Sequence, residues 1–270
     1  MRILWYEEID FTFLRFLPAI KKLIVSSYLT KDFSPIRNYV DLIEFGVEET
    51  KSTAVDLKFI SEFKNLKKFY VDGMKKGLES ISKLEYLETL TLRGIKLPDI
   101  EIIRNSKNIR ELNLLYGSYK NLDAIAAQEN LEELEISRTR QIPNYNFLNS
   151  LSNLKKIKFE GMSEICILPS LKGLISLRKI IIDNNSRLID INTVKELKTI
   201  ETFLLFFPEN FKAEWRQRLL EQAIKIILES NTIKSANLWR HMDDKTRQIL
   251  KTKGIEFWGY NPLYEKAFTK

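Results

Sequence analysis

Leu78-Glu-Ser-Ile81-Ser-Lys-Leu84-Glu-Tyr-Leu87-Glu-Thr-Leu90-Thr-Leu92 places apolar residues three apart and closes on a pair two apart. The closing phrase, apolar–x–x–apolar–x–apolar, returns as Ile109 to Leu114, Leu131 to Ile136, Leu154 to Phe159, Leu177 to Ile182 and Ile200 to Leu205. Its central residues are Leu90, Leu112, Leu134, Ile157, Ile180 and Phe203, so the period is 22 or 23. A fixed period of this length marks a solenoid, in which each unit buries its apolar face against its neighbours. The three-residue rhythm also runs through Leu148, Leu151 and Leu154, and through Leu168, Leu171, Leu174 and Leu177.

Looser copies extend the array. Ile20-x-x-Leu23-x-Val25, Val40-x-x-Ile43-x-Phe45 and Leu66-x-x-Phe69-x-Val71 predict three more strands. The step from Ile43 to Phe69 is 26, which predicts an insertion around 48–55. Arg2 to Tyr6 reads as an opening strand, with Ile3 aligned to Leu23. After Phe203 the next centre is Ala236, a step of 33. That length holds a helix, because Trp215, Leu219, Ala223, Ile226 and Ile227 recur at three and four residues. A second helix is expected over 243–253, ended by Gly254, with a closing strand from Ile255 through Phe257 and Trp258. The division is 1–19 as an N-terminal cap, 20–208 as repeats, 209–260 as a helix-containing C-terminal repeat and cap, and 261–270 as a tail.

These phrases resemble the leucine-rich repeat family in its short bacterial form. The resemblance implies an α/β fold, a right-handed solenoid. Its curved parallel β-sheet lines the concave face, short helices, 3-10 turns or loops line the convex face, and a helical cap closes the C-terminal end. The family carries asparagine three residues beyond the second apolar strand residue. Here those positions are Tyr28, Glu48, Met74, Ile95, Gly117, Thr139, Met162, Asn185 and Pro208, so most of the asparagine ladder is missing. Gly73, Gly94, Gly117 and Gly161 lie at or beside the same turns.

Composition restricts the function classes. The chain has one histidine, His241, and one cysteine, Cys166. Neither a metal-ligand cluster nor a nucleophile–base pair can be assembled from them by spacing, so no enzyme, cofactor or metal is expected. Cys166, between Ile165 and Ile167, reads as a small buried hydrophobe. A lone cysteine excludes an internal disulfide framework and fits a reduced cytoplasm. The lysine-, isoleucine- and asparagine-rich composition suggests a bacterial source. No apolar run approaches the length of a membrane span, so no membrane partner is expected. The net charge is +7, but 43 basic residues are dispersed among 36 acidic ones. That dispersal favours a solvated surface over a nucleic-acid interface.

The repeat register also predicts a binding face. Residues between the inward apolar positions point to the concave surface. Stacking then places Glu133 beside Lys156, Glu135 beside Lys158, and Asp72 beside Arg93, as ion pairs across strands. Large or stacking side chains at outward positions are the candidate contacts for a protein partner: Tyr70, Arg93, Leu115, Tyr116, Arg138, Phe206, Phe207 and Trp239. Whether the inserted helix covers Phe206 and Phe207 is left open by the pattern. The expected function is a non-enzymatic interaction module, a bacterial cytoplasmic adaptor or a protein that neutralises a toxin or effector. The alternative is a nucleic-acid-binding or enzymatic protein using Trp239, Arg240, His241 and Trp258.

Overall fold

The computed structural model describes residues 1–17, 19–38, 41–48, 50–51 and 55–257. Val40, Trp258 and the 261–270 tail, named above, lie outside the described residues. Fourteen strands occur in the described chain. They are β1 (Arg2–Trp5), β2 (Lys22–Ser27), β3 (Glu44–Val47), β4 (Lys68–Asp72), β5 (Thr89–Arg93), β6 (Lys96–Leu97), β7 (Glu111–Leu115), β8 (Ser118–Tyr119), β9 (Glu133–Ser137), β10 (Lys156–Glu160), β11 (Lys179–Asp183), β12 (Thr202–Phe206), β13 (Ser235–Ala236) and β14 (Glu256–Phe257). All but β6 and β8 form one sheet in sequential order, and those two form a separate small sheet. Every pairing is parallel, and centres align as Phe69–Leu90–Leu112–Leu134–Ile157–Ile180–Phe203–Ala236.

The three-residue rhythm becomes 3-10 helix in several repeats, whereas the 168–177 run forms turns. That helix turns once every three residues and stacks every third side chain on one line. Leu78–Lys83, Asp123–Ala127, Asn146–Ser150 and Asn192–Glu196 are such segments. Leu78, Ile81, Leu84 and Leu87 are accordingly all buried. The result is one continuous core running the length of the coil.

Two registers differ from the sequence reading. Phe45, not Ile43, pairs with Leu23 and with Phe69. The overlapping phrase Leu42-x-x-Phe45-x-Val47 satisfies the same pattern, and packing selects it. Phe45 stacks on Phe69 at 6.0 Å and meets Phe63 edge-on at 5.3 Å, whereas Ile43 remains 39% exposed. Glu44 thereby falls beside Lys22 and pairs with it at 2.7 Å. In β1, Ile3 pairs with Val25 rather than Leu23.

Two side-chain ladders replace the missing asparagines. Asp10, Asp32, Asp56, Asp99, Asn121, Asn144 and Asp190 each accept a hydrogen bond from the backbone N–H two residues on, 2.6–3.0 Å away. This Asx turn starts the convex segment of each of those repeats. On the approach to the strands, Asn108, Asn130 and Asn153 donate to the carbonyls of Glu85, Lys107 and Glu129 in the preceding repeat. At the family position itself, Asn185 bridges Phe159 O and Met162 N, and Thr139 Oγ1 donates to Leu114 O.

The C-terminal end closes with α1 (Ala213–Glu229) and α2 (Asp244–Thr252). Leu219, Ala223, Ile226 and Ile227 of α1 are buried. Gln222 ties α1 to the preceding repeat by donating to Ile189 O and accepting from Ile191 N. The Lys253 ammonium donates to Ile227 O, Leu228 O and Ser230 O, which satisfies carbonyls at the C-terminus of α1 where the helix dipole favours a cation.

Candidate interaction surface

The outward residues of the sheet form rows because the strands stack in register. The predicted ion pairs are present: Lys156–Glu133 at 2.7 Å, Lys158–Glu135 at 3.1 Å and Arg93–Asp72 at 3.0 Å. Lys158 also reaches Glu160 at 2.5 Å. Burial alone would pull the Lys158 ammonium down, but hydrogen bonds to Glu160 and Glu135 outweigh it and hold its pKa up. Asp183 is pushed above the usual carboxylate range, first by burial and then by the Glu160 charge.

One residue beyond most of these strands the chain turns. Gly73, Gly94, Tyr116, Arg138, Gly161 and Asn184 occupy that turn in six successive repeats, with φ between 48° and 76°. The amide of each donates to a carbonyl at the end of the next strand, as in Tyr116 N to Ser137 O at 2.8 Å and Arg138 N to Glu160 O at 2.7 Å. The ladder therefore holds all six in the left-handed region. Glycine enters that region freely, and a bulky residue does so rarely. Tyr116 and Arg138 are the bulky exceptions, and both are exposed. Their side chains meet: Arg93 covers the Tyr116 ring at 4.4 Å and Arg138 approaches it at 5.4 Å. Arg138 lies across the next turn, where a Cβ on Gly161 would come within 2.7 Å of its Cγ.

Of the predicted contacts, Arg93, Tyr116 and Arg138 thus form one ridge. Leu115 lies between Arg93 and Ser137 in the same row, half-buried. Tyr70 stands beside Gly46 and Thr91, and burial with the Asp72 charge pushes its hydroxyl up to about 12. Phe206 and Phe207 are half-buried at the far end. The Phe207 ring stacks on Phe211, just ahead of α1, and meets His241 edge-on at 5.3 Å.

Trp239 is a correction. It lies in a 3-10 turn (Trp239–His241), is 8% exposed, and packs on Phe257 at 4.6 Å beneath Arg247 and Lys251. It belongs to the hydrophobic closure of the C-terminal end, because β13 stops at Ala236 and the chain turns before Trp239. Cys166 reverses the opposite way: it is exposed, while Ile165 beside it turns inward.

Sequence reasoning missed the small β6–β8 sheet that flanks the ridge. Lys96 pairs with Ser118, which bridges in turn to Arg140. Between this sheet and the ridge runs an open cleft of about 1020 Å³. Strands of two residues leave no periodic signal in the sequence, although Tyr119 turns inward between Ser118 and Lys120.

The geometry decides the architecture: parallel strands at a 22–23-residue period, 3-10 segments outside, and a sheet inside. The chain is a leucine-rich-repeat solenoid. Its structure is similar to that of internalin C2 from Listeria monocytogenes, with a TM-score of 0.55, 21% identity and coverage of 69% of this chain and 80% of that one. It is also similar to a second internalin (inlF) from Listeria monocytogenes, with a TM-score of 0.53, 15% identity and coverage of 96% of this chain and 86% of that one. No family model and no curated protein matches the sequence. Among the described residues of this leucine-rich-repeat chain, no helix is long and apolar enough to cross a membrane, and no group of His, Cys, Asp and Glu is arranged to hold a metal ion.

Proposed function

We propose that this leucine-rich-repeat protein is a non-enzymatic interaction module that holds a protein partner on its concave face, anchored at Arg93, Tyr116 and Arg138. The observation that carries the reading is the pair of bulky residues at left-handed turn positions. Their equivalents in three neighbouring repeats are glycines. Backbone strain of this kind persists at sites where the side chain has a use. Tyrosine and arginine are also the side chains richest in binding energy at interfaces. The ridge is preorganised by its own stacking, which lowers the ordering cost of association. Tyr70 and Leu115 extend the surface along the sheet, and Phe206 and Phe207 form its far margin. The packing of Trp239 as a plug, and of His241 against Phe207, weighs against the C-terminal element as a catalytic or nucleic-acid site.

The narrower role within this proposal is a bacterial cytoplasmic adaptor or a toxin- or effector-neutralising protein. Its support is compositional, from the lone cysteine and the residue usage. Affinity capture from lysate of the source cells, comparing wild type with Tyr116→Glu/Arg138→Glu by mass spectrometry, tests the site. A protein retained by wild type and lost by the variant is the expected result. Retention of the same partner by both removes the concave ridge as the binding surface.

A further inference from the structure

Lys96, Lys120, Arg138 and Arg140 all line the cleft beside the ridge, together with the Tyr116 ring. Register explains the convergence. Lys96, Ser118 and Arg140 are aligned across three adjacent chain segments, which places Lys96 and Arg140 roughly 10 Å apart on one face. Lys120 follows Ser118 by two residues, so alternation brings it to that same face, and Tyr119 between them is buried.

Among the described residues, Lys96, Lys120 and Arg140 make no salt bridge, and Arg138 reaches Glu160 only at 3.9 Å. On the sheet face Arg93, Lys156 and Lys158 by contrast meet carboxylates at 2.5–3.1 Å. The one carboxylate lining the cleft, Glu164, accepts the Gln141 amide at 2.8 Å, and Gln141 Oε1 accepts from Ser118 Oγ. Four cations thus face one carboxylate that is already engaged by the backbone.

We propose that this cleft receives an acidic peptide segment of the partner, a short extended run of aspartate and glutamate side chains. The inference rests on the reading of the ridge as a binding surface. One feature favours a peptide over a nucleic acid: the cleft offers one aromatic ring rather than the series of stacking platforms on which successive bases rest.

The test is selection of a short random-peptide library on the full chain, on Lys120→Gln/Arg140→Gln and on Tyr116→Glu, each first shown to keep the wild-type melting curve. Peptides selected by wild type are expected to be enriched in Asp and Glu. Their affinity should fall roughly tenfold on Lys120→Gln/Arg140→Gln, as two partly exposed charge pairs predict, and recover in Lys120→Arg/Arg140→Lys. Selected peptides without an acidic excess, or with equal affinity for Lys120→Gln/Arg140→Gln, overturn the inference. So does displacement of the peptides by a single-stranded oligonucleotide of equal charge at lower concentration. Loss of binding on Tyr116→Glu with retention on Lys120→Gln/Arg140→Gln refutes the acidic segment and leaves the interaction surface standing. Retention on both refutes the two together.

Discussion

Replacing Tyr116 by glycine and by alanine, in separate proteins, should reverse the usual order of stability. Both changes delete the same ring, and with it the contacts to Arg93 and Arg138 at 4.4 and 5.4 Å. They differ in the backbone. Tyr116 has φ 55°, held by the hydrogen bond that its backbone N–H donates to Ser137 O. An L-residue with a Cβ costs about 1–2 kcal/mol in that region, and glycine avoids the penalty. Glycine in turn gives the unfolded chain more freedom, which favours alanine by about 0.4–1 kcal/mol. The balance leaves Tyr116→Gly more stable than Tyr116→Ala by roughly 1 kcal/mol, or about 2–4 °C in melting temperature. Thr91, inside β5, supplies the control: there glycine should fall below alanine by about 0.5–1 kcal/mol. Denaturant titration followed by circular dichroism reads both pairs. An alanine variant at 116 that equals or exceeds the glycine variant would mean that the turn is not held left-handed, and the argument for the ridge would lose its foundation.

Three further outcomes follow from the same geometry. Leu134→Ala, at a core position flanked by Leu112 and Ile157, should lose about 2–5 kcal/mol in the same titration, and a negligible loss would place this side chain on the other face of the sheet. Gly161→Ala adds a Cβ 2.7 Å from Arg138 Cγ at a φ of 59°, so it should both destabilise the chain by about 1 kcal/mol or more and weaken partner capture; undiminished capture would show that the Arg138 position is not what the partner reads. Tyr70 titrates at about 12, above the value near 10 expected of an unfolded tyrosine, so its contribution is complete below pH 10 and fades as pH rises towards 12. Stability measured between pH 10 and 12 should therefore decline less steeply in Tyr70→Phe than in wild type; parallel curves would contradict the burial assigned to its hydroxyl.

The central repeats were legible because two periods coincide there. Apolar residues at steps of three and then two, renewed every 22 or 23 residues, admit one stacking register from Phe69 to Phe203. The third strand was ambiguous, since Ile43 and Phe45 both complete the phrase, and only the aromatic packing of Phe45, Phe63 and Phe69 separates them. Trp239 was misread because Ala236 keeps the expected register against Phe203 but the strand stops there, and Trp239 enters a 3-10 turn that the pattern does not mark. The Asx positions were visible as Asp or Asn about once per repeat, but they lie on the convex side, away from the turn where the family's asparagine belongs. For the site, Arg93, Tyr116 and Arg138 could be aligned from the sequence, whereas their stacking and the cleft beside them depend on backbone angles and on a two-residue sheet too short to leave a pattern.

The sheet runs in chain order from β1 to β14, so a strand needs only the one made before it in order to pair. Synthesis can therefore lay the coil down turn by turn, each repeat docking as it leaves the ribosome, with no early segment waiting for a distant late one. The exception is α1. Gln222 must reach back to Ile189 and Ile191, and the Lys253 ammonium must arrive before the carbonyls ending α1 are satisfied. The last growing repeat thus carries an open apolar face at every stage until the C-terminal helices are released. The lifetime of that moving edge, rather than the stability of the finished molecule, sets how exposed the nascent chain is to aggregation.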